Sequence, residues 1–390
     1  MVAKCEPLVT MGQLTRVTVP MNLALAVVPE LDDLTVGGLI NGSGLEGSSH
    51  LYGLFTDTIS IVAYEIILAD GKVVRATKDN KYSDLFYAIP WSQGTLGFVE
   101  TIIYNPNEAV CMTGKYACEE EAKRNKTKIN NIGWWFKPWF YQHAQMALSK
   151  GEFVEYIPIR EYYHRHTRSY FWEAKLLLPF ADQWWFRFLL GWMMPPKIPI
   201  LKATQVESIR NYYHDMHVLQ DLLVPLYKVS DALEWAHEEM EVYPIWVCPH
   251  RLYKHPYKTM VFPEPGFEQH HRKGDTAYAQ MYTDIGLYYA PGPVLRGEVF
   301  DGSNAVSRME QWLIENHGFE TQYAVSELSE NDFWKMFDGE LYEKCRIKYG
   351  AIGNFMTVYY KSKKGKKTEM EVQEAENVSV ETPYALVDHL

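Results

Sequence analysis

Glycine and small hydroxyl residues crowd residues 34–50, which read LTVGGLINGSGLEGSSH. Ordering a glycine costs more backbone entropy than ordering any other residue, and a glycine buries no side chain. Such a cluster is useful where backbone N–H groups must approach a ligand closely, because consecutive amides can form a concave anion site. The segment therefore predicts a loop that binds a phosphate or pyrophosphate group, with hydroxyl donors from Thr35, Ser43, Ser48 and Ser49.

The glycine spacing does not identify the ligand by itself. No GxGxxG opens a helix directly after the first strand, and no GxxxxGK[ST] is present. On spacing alone, a glycine-rich turn between two strands explains the segment equally well. A second glycine pair, Gly94 and Gly97, follows in WSQGTLGF.

A second group of reactive side chains lies in EYYHRHTR, residues 161–168. Tyrosine and histidine can act as general acids, and the two arginines can bind phosphate or carboxylate groups. Tyr163 and His164 are the predicted proton donors, and a polar, hydrogen-bonded strand is the alternative interpretation. No third ligand is spaced to join His164 and His166, so no metal site is predicted.

Composition restricts the classes of function. A length of 390 residues predicts about two domains, and the net charge of −11 argues against a nucleic-acid partner. Aromatic residues make up 14% of the chain, which indicates an aromatic core, a site for a large apolar ligand, or a membrane-facing surface. The five cysteines are scattered and have no metal-site spacing, so we expect reduced thiols.

The most apolar stretch, residues 171–201, is interrupted by charges, so it does not contain the roughly 18–20 consecutive apolar residues that a membrane span needs. The interrupting residues are Glu173, Lys175, Asp182 and Arg187. One interpretation places the stretch on a membrane surface, with Trp184, Trp185 and Trp192 at the interface. The other interpretation is two core helices broken at Pro179 and Pro195.

The sequence patterns predict strands and loops before residue 100 and mixed α+β structure after it. The first part has a buried strand at 23–31, a hairpin at 61–77 around Asp70-Gly71, and a helix starting at Ser83 or Asp84. In the second part, helices are expected within 129–148, 208–227, 231–241, 304–319 and 331–350. Extended structure is expected at 152–173, 242–249 and 279–291.

Long segments of the chain resemble the delta-24-sterol reductases (the Diminuto/seladin family, plant-type branch), which belong to the vanillyl-alcohol-oxidase-like flavoproteins. The resemblance is carried by VPELDDLTVGGLINGSGLEGSSHLYGLF, AYEIILADGKVVRAT, SDLFYAIPWSQGTLGF, GWWFKPWFYQHAQ, GWMMPPKI, VYPIWVCP and FWKMFDGELY. It implies an α+β fold with a partial FAD-binding domain of the PCMH type, followed by a substrate (cap) domain. The implied boundaries are residues 1–100 and residues 101–360, and the charged composition of residues 361–390 predicts a disordered tail.

The resemblance also implies which residues bind FAD. The segment from Thr35 to Gly47 would wrap the pyrophosphate, the segment from Ser48 to Gly53 would continue the wall, and Gly94 and Gly97 would line the flavin. The full set is Thr35, Val36, Gly37, Gly38, Leu39, Ile40, Asn41, Gly42, Ser43, Gly44, Leu45, Glu46, Gly47, Ser48, Ser49, His50, Gly53, Gly94 and Gly97.

The implied activity is reduction of a C=C bond in the side chain of a sterol, with FAD as cofactor and NADPH as reductant, in sterol or brassinosteroid-type biosynthesis. The family location is the endoplasmic reticulum membrane. Family segments expected before residue 1 and after GTLGF have no counterpart in the sequence, which would make the protein peripheral or cytosolic. The alternatives are an inactive relative that binds a sterol or a partner, and a flavin-dependent alcohol oxidase.

Overall fold

Two antiparallel four-stranded sheets organise the chain. The computed structural model describes residues 3–57, 61–104, 121–151, 153–195, 217–267, 279–324 and 326–363. The first sheet contains β1 (Ala3–Cys5), β2 (Ile61–Ile67), β3 (Val73–Ala76) and β4 (Phe98–Tyr104), in the order β1-β4-β2-β3. The second contains β5 (Val218–Pro225), β6 (Ile245–Tyr253), β7 (Ala279–Tyr289) and β8 (Phe319–Glu320), in the order β6-β7-β5-β8.

Helices surround the sheets and connect their strands. In the first part these are α1 (Met11–Thr18), α2 (Val36–Asn41), α3 (Ser49–Tyr52) and α4 (Ser83–Ala88). Between the sheets lie α5 (Phe140–Lys150), α6 (Ile159–Tyr163), α7 (Ala174–Leu177) and α8 (Trp184–Leu190). The second sheet is accompanied by α9 (Val229–Glu239), α10 (Gly292–Leu295), α11 (Gly302–Glu315), α12 (Glu330–Met336), α13 (Glu340–Lys348) and α14 (Val358–Ser362).

The predicted hairpin is confirmed, whereas the predicted strand before it is wrong. β2 and β3 pair with Ile67 opposite Val73, and Gly71 takes a positive φ of 80° in the turn between them. Residues 23–31 form no strand, although six consecutive residues at 24–29 are buried. Their apolar character reflects burial of an irregular segment, which hydrophobicity alone does not distinguish from a strand.

In the second part, the apolar segment VLQDLLVP was predicted as helix and is the strand β5. It pairs along its whole length with β7, from Val218 opposite Tyr289 to Pro225 opposite Tyr282. The part of this prediction at 208–216 lies outside the described residues. A strand buried on both faces shows no alternation of apolar and polar residues, so its pattern resembles a buried helix.

The predictions for the remaining elements have mixed outcomes. Residues 159–163 are helical where extended structure was expected, and a single helix predicted at 331–350 is two helices, α12 and α13. Ser329 caps α12, since its hydroxyl accepts a hydrogen bond from Asp332 N–H at 3.1 Å. The helices α4, α5, α9 and α11 and the strands β6 and β7 overlap their predicted segments, and α5, α9, α11 and β6 extend beyond them by two to four residues.

Helix α8 and the loop before α5 present large apolar side chains to solvent. The Trp184 and Trp192 side chains are 72% and 67% exposed, and Phe188 and Leu189 lie between them in sequence. A Cβ on Gly191 would lie 2.7 Å from the carbonyl oxygen of Trp135, so the Trp134–Phe136 loop adjoins this helix. We call residues 134–136 and 184–193 the tryptophan patch. No helix among the described residues is long and apolar enough to cross a membrane.

Candidate functional site

A cavity of about 710 Å³ lies between the glycine-rich segment and the second sheet. This volume is within the range of about 300–1,000 Å³ that is typical of small-molecule sites. We call its two sides the glycine wall and the carboxyl wall. The glycine wall includes Pro29, Glu30, Leu31, Asp33, Leu34, Thr35, Gly38, Leu39, Asn41, Gly42, Ser43, Gly44, Leu45 and Gln93. The carboxyl wall includes Tyr170, Phe171, Glu173, Leu219, Asp221, Trp246, Asp284, Tyr288, Thr321, Gln322 and Tyr323, and Lys361 completes the lining.

The first turn of α2 does not offer its amides to a ligand. Thr35 caps the helix and accepts a hydrogen bond from Gly38 N–H at 3.2 Å. The N–H groups of Val36 and Gly37 donate to the carbonyl oxygens of Val9 and Pro7. These amides are therefore already paired, and an anion bound by backbone groups must sit elsewhere on the glycine wall.

The loop that follows α2 has the properties of the predicted anion site. Ser43, Gly44 and Leu45 line the cavity, and within the described part of the chain their amides donate no hydrogen bond. A Cβ on Gly44 would lie 2.9 Å from Leu39 Cδ2 and 3.1 Å from Phe55 Cβ, so this position accommodates only glycine without a shift of its neighbours. The loop thus presents consecutive unpaired amides to the cavity.

Polar groups from distant parts of the chain adjoin this loop. Gln93 N–H donates to the Asn41 carbonyl oxygen at 2.8 Å, and Lys361 Nζ donates to the Gln93 carbonyl oxygen. A Cβ on Gly94 would lie 3.8 Å from Lys361 Nζ and 3.9 Å from Asn41 Oδ1. Asn41 Oδ1 and Gln322 Nε2 are buried and have no hydrogen-bond partner among the described residues. Unpaired backbone amides, a lysine and the unsatisfied Gln322 Nε2 are donors that suit a phosphate-bearing ligand, and Asn41 Oδ1 is free to accept a hydrogen bond from another part of it.

Only part of the predicted cofactor-binding set lines the cavity. The lining members are Thr35, Gly38, Leu39, Asn41, Gly42, Ser43, Gly44 and Leu45, and Gly94 is adjacent to them. The members outside the lining are Val36, Gly37, Ile40, Glu46, Gly47, Ser48, Ser49, His50, Gly53 and Gly97. Several of these have packing roles: Gly37 lies against Pro7, Gly53 against Tyr253, and Gly97 against Ile66.

The structure does not bring Tyr163 and His164 into the cavity. His164 Nε2 lies 2.7 Å from Thr15 Oγ1, and its Nδ1 lies 3.2 Å from Asp32 Oδ1, which also pairs with Arg160. Burial lowers the pKa of His164, and burial raises the pKa of Tyr163 to about 12. His164 therefore joins the end of α6 to α1 and to Asp32, and Tyr163 packs against the hydrophobic core, so both residues have packing roles.

The carboxyl wall was not predicted as a site from the sequence. Asp221 on β5 accepts hydrogen bonds from the hydroxyls of Tyr288, Tyr323 and Thr321, the last at 2.8 Å. Burial raises the pKa of Asp221, and these three hydrogen bonds oppose that effect. Asp284 on β7 is also buried, and burial together with the charge of Asp221 raises its pKa.

Two glutamates line the same cavity. Burial, followed by the charge of Asp221, raises the pKa of Glu173 to about 8. Burial, followed by the charge of Glu46, raises the pKa of Glu30 to about 8. Both side chains are therefore largely protonated at neutral pH, which makes them potential proton donors.

A sequence signal for part of this wall existed. Asp221 and Asp284 each interrupt an apolar run, VLQDLLVP and MYTDIGLYY, and a carboxylate in a buried strand is unusual enough to indicate a function. Lys361 carried no such signal, because it begins the basic run KSKKGKK that resembles a solvated tail. Among the described residues, no group of three or more histidine, cysteine, aspartate or glutamate side chains could hold a metal ion.

Comparison with known proteins gives a match to a protein family and a partial similarity to a solved structure. The FAD binding domain family matches residues 1–77, which include β1 to β3 and the glycine wall up to Leu45. The predicted α+β fold with a PCMH-type FAD-binding domain is thereby confirmed. A glucooligosaccharide oxidase from Acremonium strictum is 25% identical over 27% of this chain and 21% of its own, with a TM-score of 0.24.

Two relatives align over most of their length. The Delta(24)-sterol reductase of Arabidopsis thaliana is 64% identical over 438 residues, covering 100% of this chain and 78% of the relative. The human Delta(24)-sterol reductase is 41% identical and covers 92% of this chain and 74% of the relative. The 438 aligned positions of the plant relative exceed the 390 residues of this chain by 48, so its aligned region carries residues without a counterpart here.

Proposed function

The chain belongs to the Delta(24)-sterol reductase family, and from this premise we propose that it reduces a C=C bond in the side chain of a sterol with bound FAD, using NADPH as the reductant. The observation that carries the proposal is a single cavity lined by both the glycine wall and the carboxyl wall. Its glycine wall offers unpaired amides and Lys361 to a phosphate-bearing cofactor, and its opposite wall combines aromatic side chains with carboxyl groups.

The cofactor position in this proposal follows from the glycine wall. The Ser43–Leu45 amides and Lys361 would bind the pyrophosphate. Gln322 Nε2 would donate a hydrogen bond to the cofactor, and Asn41 Oδ1 would accept one from it. FAD bound there supplies the hydride that reduces the alkene. This arrangement explains why an anion site and a set of carboxyl groups occur in one cavity.

The substrate position follows from the apolar part of the lining. Phe171, Leu219 and Trp246 offer flat and branched apolar surfaces, as expected of a site for the aliphatic part of a sterol. Phe171 and Trp246 pack with ring centroids 5.0 Å apart, so the surface is preformed. The role of these residues in the reaction would be to orient the alkene and to exclude water.

The decisive experiment combines a flavin spectrum with a turnover assay. We expect the purified protein to keep a flavin absorption band through gel filtration in the presence of FAD, and to convert a sterol with an unsaturated side chain to its reduced form with NADPH. A colourless protein that binds the sterol would support an inactive sterol-binding relative instead. Oxygen consumption with an alcohol substrate and no sterol reduction would support an alcohol oxidase.

We further propose that the tryptophan patch lies on a membrane surface, from which the sterol is taken. Exposed tryptophans favour the interface between water and lipid, and the patch also exposes Phe188, Leu189 and Met193. The family resemblance makes the endoplasmic reticulum membrane the corresponding location. A membrane-bound position would give direct access to a substrate that is nearly insoluble in water.

The double variant Trp184→Gln/Trp192→Gln is expected to bind lipid vesicles at least about tenfold more weakly, because burial of a large apolar side chain is worth roughly 1.5–3 kcal/mol. Co-sedimentation with phosphatidylcholine vesicles measures this affinity. Val299→Gln, which alters a side chain that is 99% exposed outside the patch, is the control and should bind normally. Equal sedimentation of all three proteins would contradict the membrane proposal.

A further inference from the structure

We infer that Glu173 is the acid that delivers a proton to one alkene carbon of the sterol, while the other alkene carbon receives hydride. This inference deepens the proposed function and rests on it. Glu173 lines the cavity on the carboxyl wall together with Phe171, and the loop at Ser43–Leu45 lines the same cavity. Neither of the proton donors predicted from the sequence, Tyr163 or His164, lines this cavity.

The backbone before Glu173 is held in an unusual conformation. Tyr170 and Phe171 have positive φ values of 42° and 60°, which non-glycine residues rarely adopt because they strain the backbone. Both residues line the cavity, and Glu173 N–H closes the turn by donating to the Tyr170 carbonyl oxygen at 3.1 Å. The turn therefore places Tyr170, Phe171 and Glu173 against the ligand space at an energetic cost, as positioning of a reactive group requires.

Two carboxyl groups of the wall have different environments. Asp221 accepts three side-chain hydrogen bonds, which favour its charged form. Glu173 has His217 Nε2 at 3.8 Å and the charge of Asp221 nearby. The titratable groups that face Glu173 are thus Asp221, His217 and Tyr170. Burial raises the pKa of both carboxyl groups, and the hydrogen bonds that oppose this effect are at Asp221, so Glu173 is the better placed of the two to act as an acid.

The protonation states support the same assignment. Burial and Asp221 raise the pKa of Glu173 to about 8, and burial lowers the pKa of His217 to about 4. At neutral pH the glutamic acid carries its proton and the histidine is neutral. A donor with a pKa near the working pH transfers a proton most efficiently.

An independent observation indicates that this wall faces a ligand. Asp284 lies on the cavity wall and is 2% exposed, yet its Oδ1 has no hydrogen-bond partner among the described residues. Buried polar atoms without a partner are rare in native proteins because each one loses its hydration. The wall is therefore incomplete until another molecule occupies the cavity.

The proposed step balances in atoms and charge. One alkene carbon takes the hydride of the proposed reaction, and the Oε–H bond of Glu173 breaks as its proton forms a C–H bond with the other carbon. The π bond is consumed, and Glu173 is left as a carboxylate that regains a proton from water before the next turnover.

The variant Glu173→Gln keeps the shape of the side chain and removes its acidic proton. We expect reoxidation of the reduced flavin by the sterol to slow by about 100-fold to 10,000-fold, the usual contribution of a general acid. The rate of flavin reduction by NADPH should stay within about twofold of wild type. Glu234→Gln, an exposed glutamate on α9, is the matched control and should leave both rates unchanged.

Infrared spectroscopy gives a readout that needs no turnover. A carbonyl stretching band of a protonated carboxyl at pH 7 should weaken in Glu173→Gln and persist in Glu234→Gln. In wild type, the part of this band that is missing in Glu173→Gln should disappear and the sterol step should slow as the pH rises through about 8, because the acid form of Glu173 is then lost. Glu173→Asp, which keeps the acidic proton on a shorter side chain, should recover part of the rate.

The outcomes separate this inference from the proposed function. If wild type reduces sterol and Glu173→Gln does so at the same rate, the assignment of Glu173 is overturned while the proposed function stands. A wild-type protein without sterol turnover would overturn both. If the infrared band is unchanged in Glu173→Gln, Glu173 is ionised at neutral pH and cannot be the donor.

Discussion

Replacing Gly38 by tryptophan is expected to abolish flavin binding while leaving the protein folded. Gly38 is on the glycine wall, and a Cβ at this position would meet only Thr35 Oγ1, at 2.9 Å, within 4 Å. A larger side chain therefore extends into the cavity and fills space that the cofactor requires. Loss of the helix cap at Thr35 adds a cost of only about 1 kcal/mol, so the fold should survive.

Flavin absorbance after gel filtration with added FAD measures this effect, and circular dichroism checks the fold. The control is Gly47→Trp, which introduces the same side chain in the same segment, at an exposed residue where nothing lies within 4 Å of an added Cβ. We expect Gly47→Trp to retain flavin. Equal flavin content in Gly38→Trp and wild type would show that the cofactor lies elsewhere.

Replacing Arg346 by leucine is expected to destabilise the protein by about 3 kcal/mol or more, because each buried acceptor left without a donor costs roughly 1–3 kcal/mol. Arg346 is 3% exposed on α13. Its guanidinium donates to the carbonyl oxygens of Thr95, Ala351, Phe355 and Met356 and to the hydroxyl of Tyr342. Leucine removes the donor for all of these groups at once.

The midpoint of urea unfolding, followed by circular dichroism, reports this loss. Arg308→Leu is the matched control, because Arg308 on α11 is 46% exposed and pairs with Glu239 at the surface. Exposed ion pairs contribute about 0–1 kcal/mol, so the control should unfold near the wild-type midpoint. Similar midpoints for both variants would mean that the Arg346 hydrogen bonds add little net stability.

The elements that the sequence predicted correctly have local signals. Asp70-Gly71 between two β-rich runs indicates the hairpin of β2 and β3, since the turn needs a residue that tolerates positive φ. The helix α11 has apolar residues at helical spacing, and the Gly318 N–H donates to the Leu313 carbonyl oxygen just after it ends. In both cases residues close in sequence determine the conformation.

The carboxyl wall could not be predicted in the same way. Asp221 and Tyr288 meet because β5 and β7 pair, and the pairing register depends on contacts between residues distant in sequence. The positive φ values of Tyr170 and Phe171 have no glycine or asparagine to signal them. They arise from the surrounding structure. The pattern at 152–173, which predicts extended structure, therefore contains the turn that positions Glu173.

Lys361 has a consequence for how the protein is made. It comes from α14, whereas Asn41 and the loop at Ser43–Leu45 precede it by about 320 residues. At about 5–20 residues per second, a ribosome needs roughly 15–60 seconds to travel between the two. During that interval the nascent polypeptide contains the loop at Ser43–Leu45 but does not yet contain Lys361. With the cofactor position proposed above, loading of the complete site follows translation of α14 and is a late event in biogenesis.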